Sequence, residues 1–408
     1  MNISDTITNE FKEYTLNKNE NKLNELIKDL SEPFQFISIG LAKIDYLEKE
    51  RLGLKTIINN PILFDASCSG IQHISALTLD KNLAKYTNVI SYDDSPKTQL
   101  PEDFYTFALN IIRKKLANSK NELLRNISLN RQIIKRSVMT IPYNISMTGI
   151  GEQIEEHFSK TWELNQYVYT VPETATINGQ KCYIYSKDFG ELTKVIYEVL
   201  TKDIPSLKNL TNYFKEIITV LNNLNLPVTW TTPAGIKIKY QQIKFDSIIT
   251  KNKIINISKP ITISIPTNKI DKIKMIRSFM PNFIHSLDAS NVHLLLNYVI
   301  ESDQIPVYTV HDCFASTANN MSILEYNVKK AFINIYFNEE GFLLKSHNRI
   351  ISQIKEVHET ITINGKEYID MSLHNTPDIL IPELPEAFRT KELNEFIKGL
   401  LNSKYFIG

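Results

Sequence analysis

Two aspartates stand where packing gives them nothing. Asp65 closes the apolar run Ile62-Leu63-Phe64 and opens the small-residue stretch Ala66-Ser67-Cys68-Ser69-Gly70. Asp312 follows the β-branched and aromatic run Val307 to Val310 and sits, with His311, where that run turns. Burying such a charge is costly unless something compensates it. A divalent cation would do so, and two carboxylates from adjacent strands make a natural magnesium seat. Taken singly, each also fits the commoner fate of a strand-end aspartate, bonding backbone amides in a turn. A third group is periodic: Arg131, Lys135, Met139 and Tyr143 recur every four residues along one gently drifting helix face. Two long cations at one end and an aromatic ring at the other suit a nucleotide, cations on phosphates and ring against base or sugar. An ordinary amphipathic helix with a solvated basic edge would show the same spacing.

The elements that must position these residues can be read from pattern. Residues 6 to 31 form a charged helical lead-in that Glu32-Pro33 is expected to stop, and Phe34 to Leu41 alternates like a strand. Ile62 to Phe64 reads as a short buried strand, and Ile71 to Leu79 has helical periodicity. Pro101-Glu102-Asp103 opens a helix to about Leu116, with proline in the first turn and acids at the positive end. The helix of Arg131 to Met139 should end or kink at Pro142. Leu192 to Leu224 is mostly helical with a break at Pro205. Val228 to Tyr240 alternates about Thr232-Pro233-Ala234-Gly235 as a hairpin, and residues 241–271 suggest a second hairpin. Pro281 is expected to start a helix reaching about Ile300, ahead of the strand Val307 to Val310. Helices and strands follow in irregular order, so the class is α+β.

Composition narrows the setting. The chain has 408 residues, 42% of them hydrophobic and 22% charged, which fits a globular protein of two or three domains and excludes disorder, collagen and a coiled-coil rod. No run approaches a membrane span. Forty-six basic against 45 acidic side chains leave +1, so a polyanion partner must be held by a local basic strip rather than a global field. Three cysteines, Cys68, Cys182 and Cys313, make no disulfide framework and no metal clip, so no disulfide-linked partner is expected. The N-terminus lacks the features of a secretory signal and the arginines of a transit peptide. Glycine is scarce while isoleucine, asparagine and lysine abound, as an A/T-biased genome such as a mitochondrial one would dictate. His157, His293, His347 and His374 show no ligand spacing and read as surface or packing residues.

Together FDASCSGIQHISAL, RQIIKRSVMTIPY, RSFMPNFIHSLDAS and VYTVHDCF resemble four signature blocks of the single-subunit, bacteriophage-type DNA-dependent RNA polymerases, which include mitochondrial enzymes. They stand in the family's order and approximate spacing, with weaker similarity around PEDFYTFA and PVTWTTPAGIKIKY. The resemblance runs from about residue 30 to the aromatic tail at Tyr405-Phe406. It implies a right-hand polymerase fold: a palm with a small antiparallel sheet from residues 1–81 and 286–408, and mainly helical fingers from 82–285.

The resemblance also implies roles. Asp65, Asp312 and the backbone carbonyl of Ala66 would hold two Mg2+ ions, one activating the RNA 3′-hydroxyl and the other stabilising the leaving pyrophosphate. Lys135 would neutralise the incoming triphosphate and could donate a proton as pyrophosphate leaves, with Arg131 on the same phosphates. Tyr143 and His285 would lie near the ribose, supported by Tyr105 on the adjoining helix. Gly70 separates ribose from deoxyribose chemistry. The related family A DNA polymerases carry a bulky acid five places after the first aspartate, where it excludes a 2′-hydroxyl, and Gly70 leaves room. Cys313 likewise replaces the acid usual in those enzymes. The partners implied are a DNA template, an RNA transcript and ribonucleoside triphosphates, with no membrane.

Departures from the family pattern matter as well. Asn144 stands where the family has glycine, and asparagine tolerates a left-handed backbone well enough to keep the turn. The IPYN form resembles the polymerases of linear mitochondrial plasmids, which points to an organelle-encoded mitochondrial protein. Lys237, Lys239, Lys244, Lys251, Lys253 and Lys259 populate the two hairpins, near the family's promoter-reading loop at 241–271. A β-ribbon fits the major groove, although lysines also shield exposed hairpin edges. The promoter-binding N-terminal domain, the thumb and an upstream palm segment have no counterpart before residue 30, so that region is expected to be supplied elsewhere. A family A DNA polymerase and a truncated non-catalytic remnant are the alternatives.

Overall fold

Pro33 begins a helix, after the preceding one has ended at Ile27. In the computed structural model, which describes residues 11, 13, 20–92, 100–127, 129–163, 165–170, 176, 177, 180, 181, 183–250, 261–338, 341–374, 376–389 and 393–408, a short helix α1 (Glu20–Ile27) is followed by α2 (Pro33–Arg51). Proline occupies the first turn of α2, where its missing N–H costs nothing. The strand expected over Phe34 to Leu41 is therefore helical. Its buried members, Phe36 and Gly40, are four apart, whereas Phe34 is exposed, so the apparent alternation was accidental. Phe36 meets Phe11 edge-on, and a side chain at Gly40 would press on that same Phe11 ring.

Next come β1 (Pro61–Asp65), α3 (Ser69–Leu77), α4 (Lys81–Tyr86), α5 (Phe104–Ala117), α6 (Glu122–Asn126) and α7 (Arg131–Thr140). A one-turn 3-10 helix, Ile141–Tyr143, ends α7 at Pro142 as expected. Then follow α8 (Met147–Glu155), β2 (Ser159–Glu163), β3 (Gln166–Thr170), β4 (Thr176–Ile177), β5 (Gln180–Lys181) and β6 (Tyr183–Tyr185). Two long helices, α9 (Ser186–Lys202) and α10 (Pro205–Asn223), are split by Pro205, which opens the second. Both expected hairpins form: β7 (Val228–Thr231) pairs with β8 (Lys237–Tyr240), and β9 (Ile243–Thr250) with β10 (Ile261–Ile270). Lys251, Lys253 and Lys259 lie outside the described residues; Lys237, Lys239 and Lys244 are exposed.

Pro281 does not start the next helix, as α11 runs from Lys272 to Tyr298 with Pro281 inside it. A single proline is tolerated there because the packed face Phe279, Phe283 and Leu287 holds the helix on either side. The chain continues through β11 (Tyr308–Val310), β12 (Cys313–Thr317), α12 (Met321–Tyr336), α13 (Phe342–Lys355), β13 (Thr360–Ile363), β14 (Lys366–Ile369), β15 (Ile379–Leu380) and α14 (Leu393–Asn402). Mixed helices and small antiparallel sheets make the class α+β.

The chain divides into two units. One, residues 1–65 and 298–326, contains α2 and the antiparallel sheet β1-β12-β11. Contrary to the reading of β1 as buried, Ile62 and Leu63 are exposed, as are Tyr308 and Val310 on the other outer strand. Only the central strand packs on both faces, with Phe314 and Ala315 interior.

The second unit, residues 66–297 and 327–408, is mainly helical. Helix α5 packs against α7 and α9, and α9 against α8. Their inward faces, such as Ile112, Ile133, Ile134, Val138, Leu192 and Ile196, are almost fully buried. Phe214, Trp230, Phe279 and Phe283 form an aromatic cluster that seats α11 against α10 and the first hairpin. Helix α3 is buried along nearly its whole length, polar residues included. Gln72 therefore spends its amide on the carbonyls of Thr87 and Phe406, both at 2.9 Å. The aromatic tail is tied down there, with Ser67 donating to the Tyr405 carbonyl and Ala66 bridging to Ile407.

Candidate active site

Strand pairing sets the aspartates of the first unit. In the register of β1 with β12, Asp65 lies opposite Cys313, the residue after Asp312. Directly opposed residues of an antiparallel pair present their side chains on one face. Asp312 occupies the two-residue turn between β11 and β12, closed by the pair Val310–Cys313. His311 in that turn has φ +54, a left-handed backbone that histidine adopts more readily than most residues. Burial pushes the Cys313 thiol up, and the charges of Asp65 and Asp312 push it further, so both carboxylates act at one place. Among the described residues no group of three or more His, Cys, Asp or Glu could hold a metal. A carboxylate pair is nevertheless a sufficient protein share for magnesium, which keeps waters and takes substrate phosphate oxygens as its other ligands.

In the second unit α7 presents its expected face. Its N-cap Asn130 accepts a hydrogen bond from the Ile133 amide, which fixes where the helix starts and so where Arg131 and Lys135 emerge. Both cations lie over the ring of Tyr105 on α5, at 4.8 Å for Arg131 and 5.9 Å for Lys135. Tyr105 is buried, and burial, with Cys68 nearby, raises its hydroxyl far above the ordinary value against the opposing charge of Arg131. It stays a phenol, placed 3.4 Å from the Ser67 carbonyl.

The two cations differ in their company. Arg131 is forked onto Asp103, Nε to Oδ2 at 2.6 Å and Nη2 to Oδ1 at 3.3 Å. Burial would raise the Asp103 carboxyl, but the hydrogen bonds from Arg131 and Thr106 prevail and hold it below the usual range. Asp103 also caps α5, accepting from the Tyr105 amide. Lys135, in contrast, has no carboxylate partner among the described residues. It is a half-buried cation held over an aromatic ring.

At the other end of the face, Tyr143 stacks on His285 of α11, ring centroids 4.4 Å apart and 28° between planes. Asn144 follows with φ +56 and ψ +46 and donates to the Arg277 carbonyl at 2.9 Å, so asparagine keeps the turn. Gly70 sits against this turn. A Cβ there would lie 2.9 Å from Pro142 Cγ and 3.3 Å from the Tyr143 hydroxyl. The glycine therefore serves close packing as well as leaving space. A cavity of about 500 Å3 opens beside the turn, lined in part by Asn144, Ile145, Lys202, Lys208 and Lys215.

This unit thus brings together Gly70, Tyr105, Arg131, Lys135, Tyr143 and His285, and the first unit brings together Asp65 and Asp312. Ala66 is in the second unit, bridged to Ile407. Sequence reasoning missed Asp103 as the counter-ion of Arg131, 28 residues away, because its place as an acid at the positive end of a helix already accounted for it. The family model described as DNA-dependent RNA polymerase matches residues 5–377. The chain belongs to the single-subunit DNA-dependent RNA polymerases.

Similar polymerases come from several sources. A probable DNA-directed RNA polymerase of Agaricus bitorquis is 49% identical over 430 residues, covering 99% of this chain and 39% of that protein. One from Neurospora crassa is 32% identical, covering 94% of this chain and 43% of that protein. The mitochondrial DNA-directed RNA polymerase of Mus musculus is 24% identical, covering 68% and 21%. This polymerase chain spans about two fifths of the length of the two fungal relatives.

Proposed function

We propose that this chain is the catalytic portion of a DNA-directed RNA polymerase, which extends an RNA 3′-hydroxyl with ribonucleoside triphosphates on a DNA template. The observation that carries the reading is the carboxylate pair, Asp65 on β1 and Asp312 beside the opposing strand. Asp65 and Asp312, with the Ala66 carbonyl, are the groups offered to magnesium, which when bound supplies Lewis-acid activation of the 3′-hydroxyl and neutralisation at the leaving pyrophosphate. Lys135 meets the triphosphate as a cation without an internal counter-charge, and its ammonium can release a proton to the departing oxygen. Arg131 keeps Nε and Nη2 on Asp103 and offers Nη1 to the same phosphates. Tyr143 and His285 bound the sugar, beside a residue 70 that has no side chain to fill the 2′ position.

Grip on nucleic acid is local. The ribbon β9–β10 is exposed on both faces and suits a major groove, in keeping with promoter reading near 241–271. The lysines of the cavity beside Asn144 suit a strand's phosphates. In this reading residues 1–81 and 286–408 form the palm and 82–285 the fingers, and the protein works in the mitochondrion, as the mouse relative is named to do.

The test is extension of an RNA primer already paired to DNA, with magnesium, comparing ribonucleotides with deoxyribonucleotides. Template-directed ribonucleotide addition, reduced at least about 100-fold by Asp312→Asn, is expected. Addition that survives that substitution unchanged would remove the carboxylate pair from the chemistry, and a preference for deoxyribonucleotides would make this a DNA polymerase.

A further inference from the structure

Helix α3 carries a histidine into the interior. His73 is 2% exposed and is bonded at both nitrogens. Nδ1 lies 2.6 Å from the hydroxyl of Tyr336 on α12, and Nε2 lies 3.1 Å from Oδ1 of Asp288 on α11. The Ser69 hydroxyl approaches the same carboxylate oxygen at 3.5 Å. Tyr336 is wholly buried, which raises its pKa well above the ordinary value, so it remains a phenol able to donate to Nδ1. His73 then holds its proton on Nε2 and donates it to Asp288. Burial would raise the Asp288 carboxyl, but the hydrogen bond from His73, with His285 and the Ser69 hydroxyl nearby, lowers it. A chain of hydrogen bonds thus runs from the core at Tyr336 to a carboxylate that stays ionised.

Where this chain ends decides what it can do. Asp288 lies three residues after His285, on the neighbouring turn of the same helix face. Ser69 adjoins Gly70. The sugar-facing surface is assembled from three separate elements: α3 with Gly70, the 3-10 turn with Tyr143, and α11 with His285. Between α3 and the middle of α11, the Asp288 carboxylate is a polar tie, met by both Ser69 and His73. Apolar packing tolerates small slides of one helix along another, whereas a directional hydrogen bond to a charged acceptor fixes the register.

We propose that Asp288, clamped by His73 and Tyr336, is a positioning residue for sugar selection: it sets the register of α11 against α3 and thereby holds the His285–Tyr143 stack beside Gly70. The proposal rests on the reading of that surface as the ribose site. A clamp of this kind acts on binding geometry rather than on the phosphoryl step. Its loss raises KM for the correct nucleotide and blurs the choice of sugar while leaving kcat near its original value. A network serving stability alone would lower the melting temperature and leave the choice of sugar untouched.

The experiment uses the full chain in four forms: wild type, Asp288→Ala, Asp288→Asn and Tyr336→Phe. Two readouts are taken. The first is GTP against dGTP incorporation on a pre-paired RNA–DNA scaffold with magnesium. The second is the imidazole resonances of His285 in nucleotide-free, histidine-labelled protein, which sense the ring current of Tyr143. Asp288→Ala should raise KM for GTP about 10-fold, lower the ribonucleotide preference about 10-fold and shift the His285 signals toward those of a Tyr143→Ala control. Asp288→Asn keeps an oxygen acceptor for His73 and should recover most of the preference. Tyr336→Phe, in the buried core, should act in the same direction by about 3-fold. It decides the matter if Asp288→Ala does not fold. Unmoved His285 signals with an unchanged sugar preference, or a fall in kcat alone, would overturn the clamp. A wild-type chain that adds no nucleotide would instead refute the polymerase reading, and the His285 signals would still decide whether Asp288 positions α11.

Discussion

His285 lies almost flat against Tyr143, although the two come from different elements, with ring centroids 4.4 Å apart. Stacking fixes the tyrosine ring, so its hydroxyl can be removed without moving the ring. Tyr143→Phe should therefore keep the stack and ribonucleotide incorporation near wild type, while preference over deoxyribonucleotides falls about 10-fold, the worth of one hydrogen bond. Competition between the two nucleotides in primer extension measures this, and unchanged discrimination would take the hydroxyl out of sugar sensing.

The Arg131–Asp103 pair makes an acid-sensitive contribution to stability. Asp103 titrates below its unfolded value, so the pair stabilises the fold fully above the ordinary aspartate range. That contribution is lost as pH falls through the depressed folded pKa. Asp103→Asn keeps the helix cap and removes the charge. Because both partners are partly exposed, it should cost only about 0.5–1 kcal/mol at neutral pH. Urea unfolding across pH should show wild type and variant converging in acid, once pH has fallen through the depressed Asp103 value. A gap that persists in acid would assign the effect to packing.

Asn144 offers a cleaner test of backbone conformation. Its left-handed φ and its bond to the Arg277 carbonyl are separable by substitution. Asn144→Ala should lose about 1–2 kcal/mol, having neither the bond nor tolerance of that backbone. Asn144→Gly, which gives up the bond alone, should lose less than about 1 kcal/mol. Chemical denaturation ranks the two, and equal losses would mean the conformation itself is not strained.

At Gly70 even one added carbon must displace Pro142 or be displaced. Gly70→Ala should destabilise the protein by about 1–3 kcal/mol. Gly70→Glu should obstruct ribonucleotides, and should also show this packing cost as a lowered melting temperature. A Gly70→Ala variant with wild-type stability would show that the 3-10 turn yields freely.

What the sequence disclosed was whatever is local. The helix of Arg131 and Lys135, the turn at Tyr143, the His311-Asp312 corner and both hairpins follow from periodicity and turn chemistry, and they stand where expected. The errors lay in reading Phe34 to Leu41 as a strand, when it belongs to the helix that Pro33 opens, and in starting a helix at Pro281, which lies inside one. Ile62 and Leu63 looked buried because apolar character was taken for burial. The clamp on Asp288 was illegible, since His73 and its partners are 215 and 263 residues apart and nothing local marks them. His347 did prove a packing histidine, bonded to the Tyr213 hydroxyl at 2.8 Å.

The closeness of residue 70 to Pro142 also constrains how such a site can change over time. A side chain at 70 and a full proline ring at 142 compete for one volume, so the two positions are epistatic. A substitution at 142 that shrinks the ring is tolerable first, and an enlargement at 70 becomes tolerable only afterwards. The reverse order passes through an overpacked intermediate. Libraries that randomise residue 70 alone will therefore recover mostly glycine. Paired libraries at 70 and 142 reach combinations that single substitutions close.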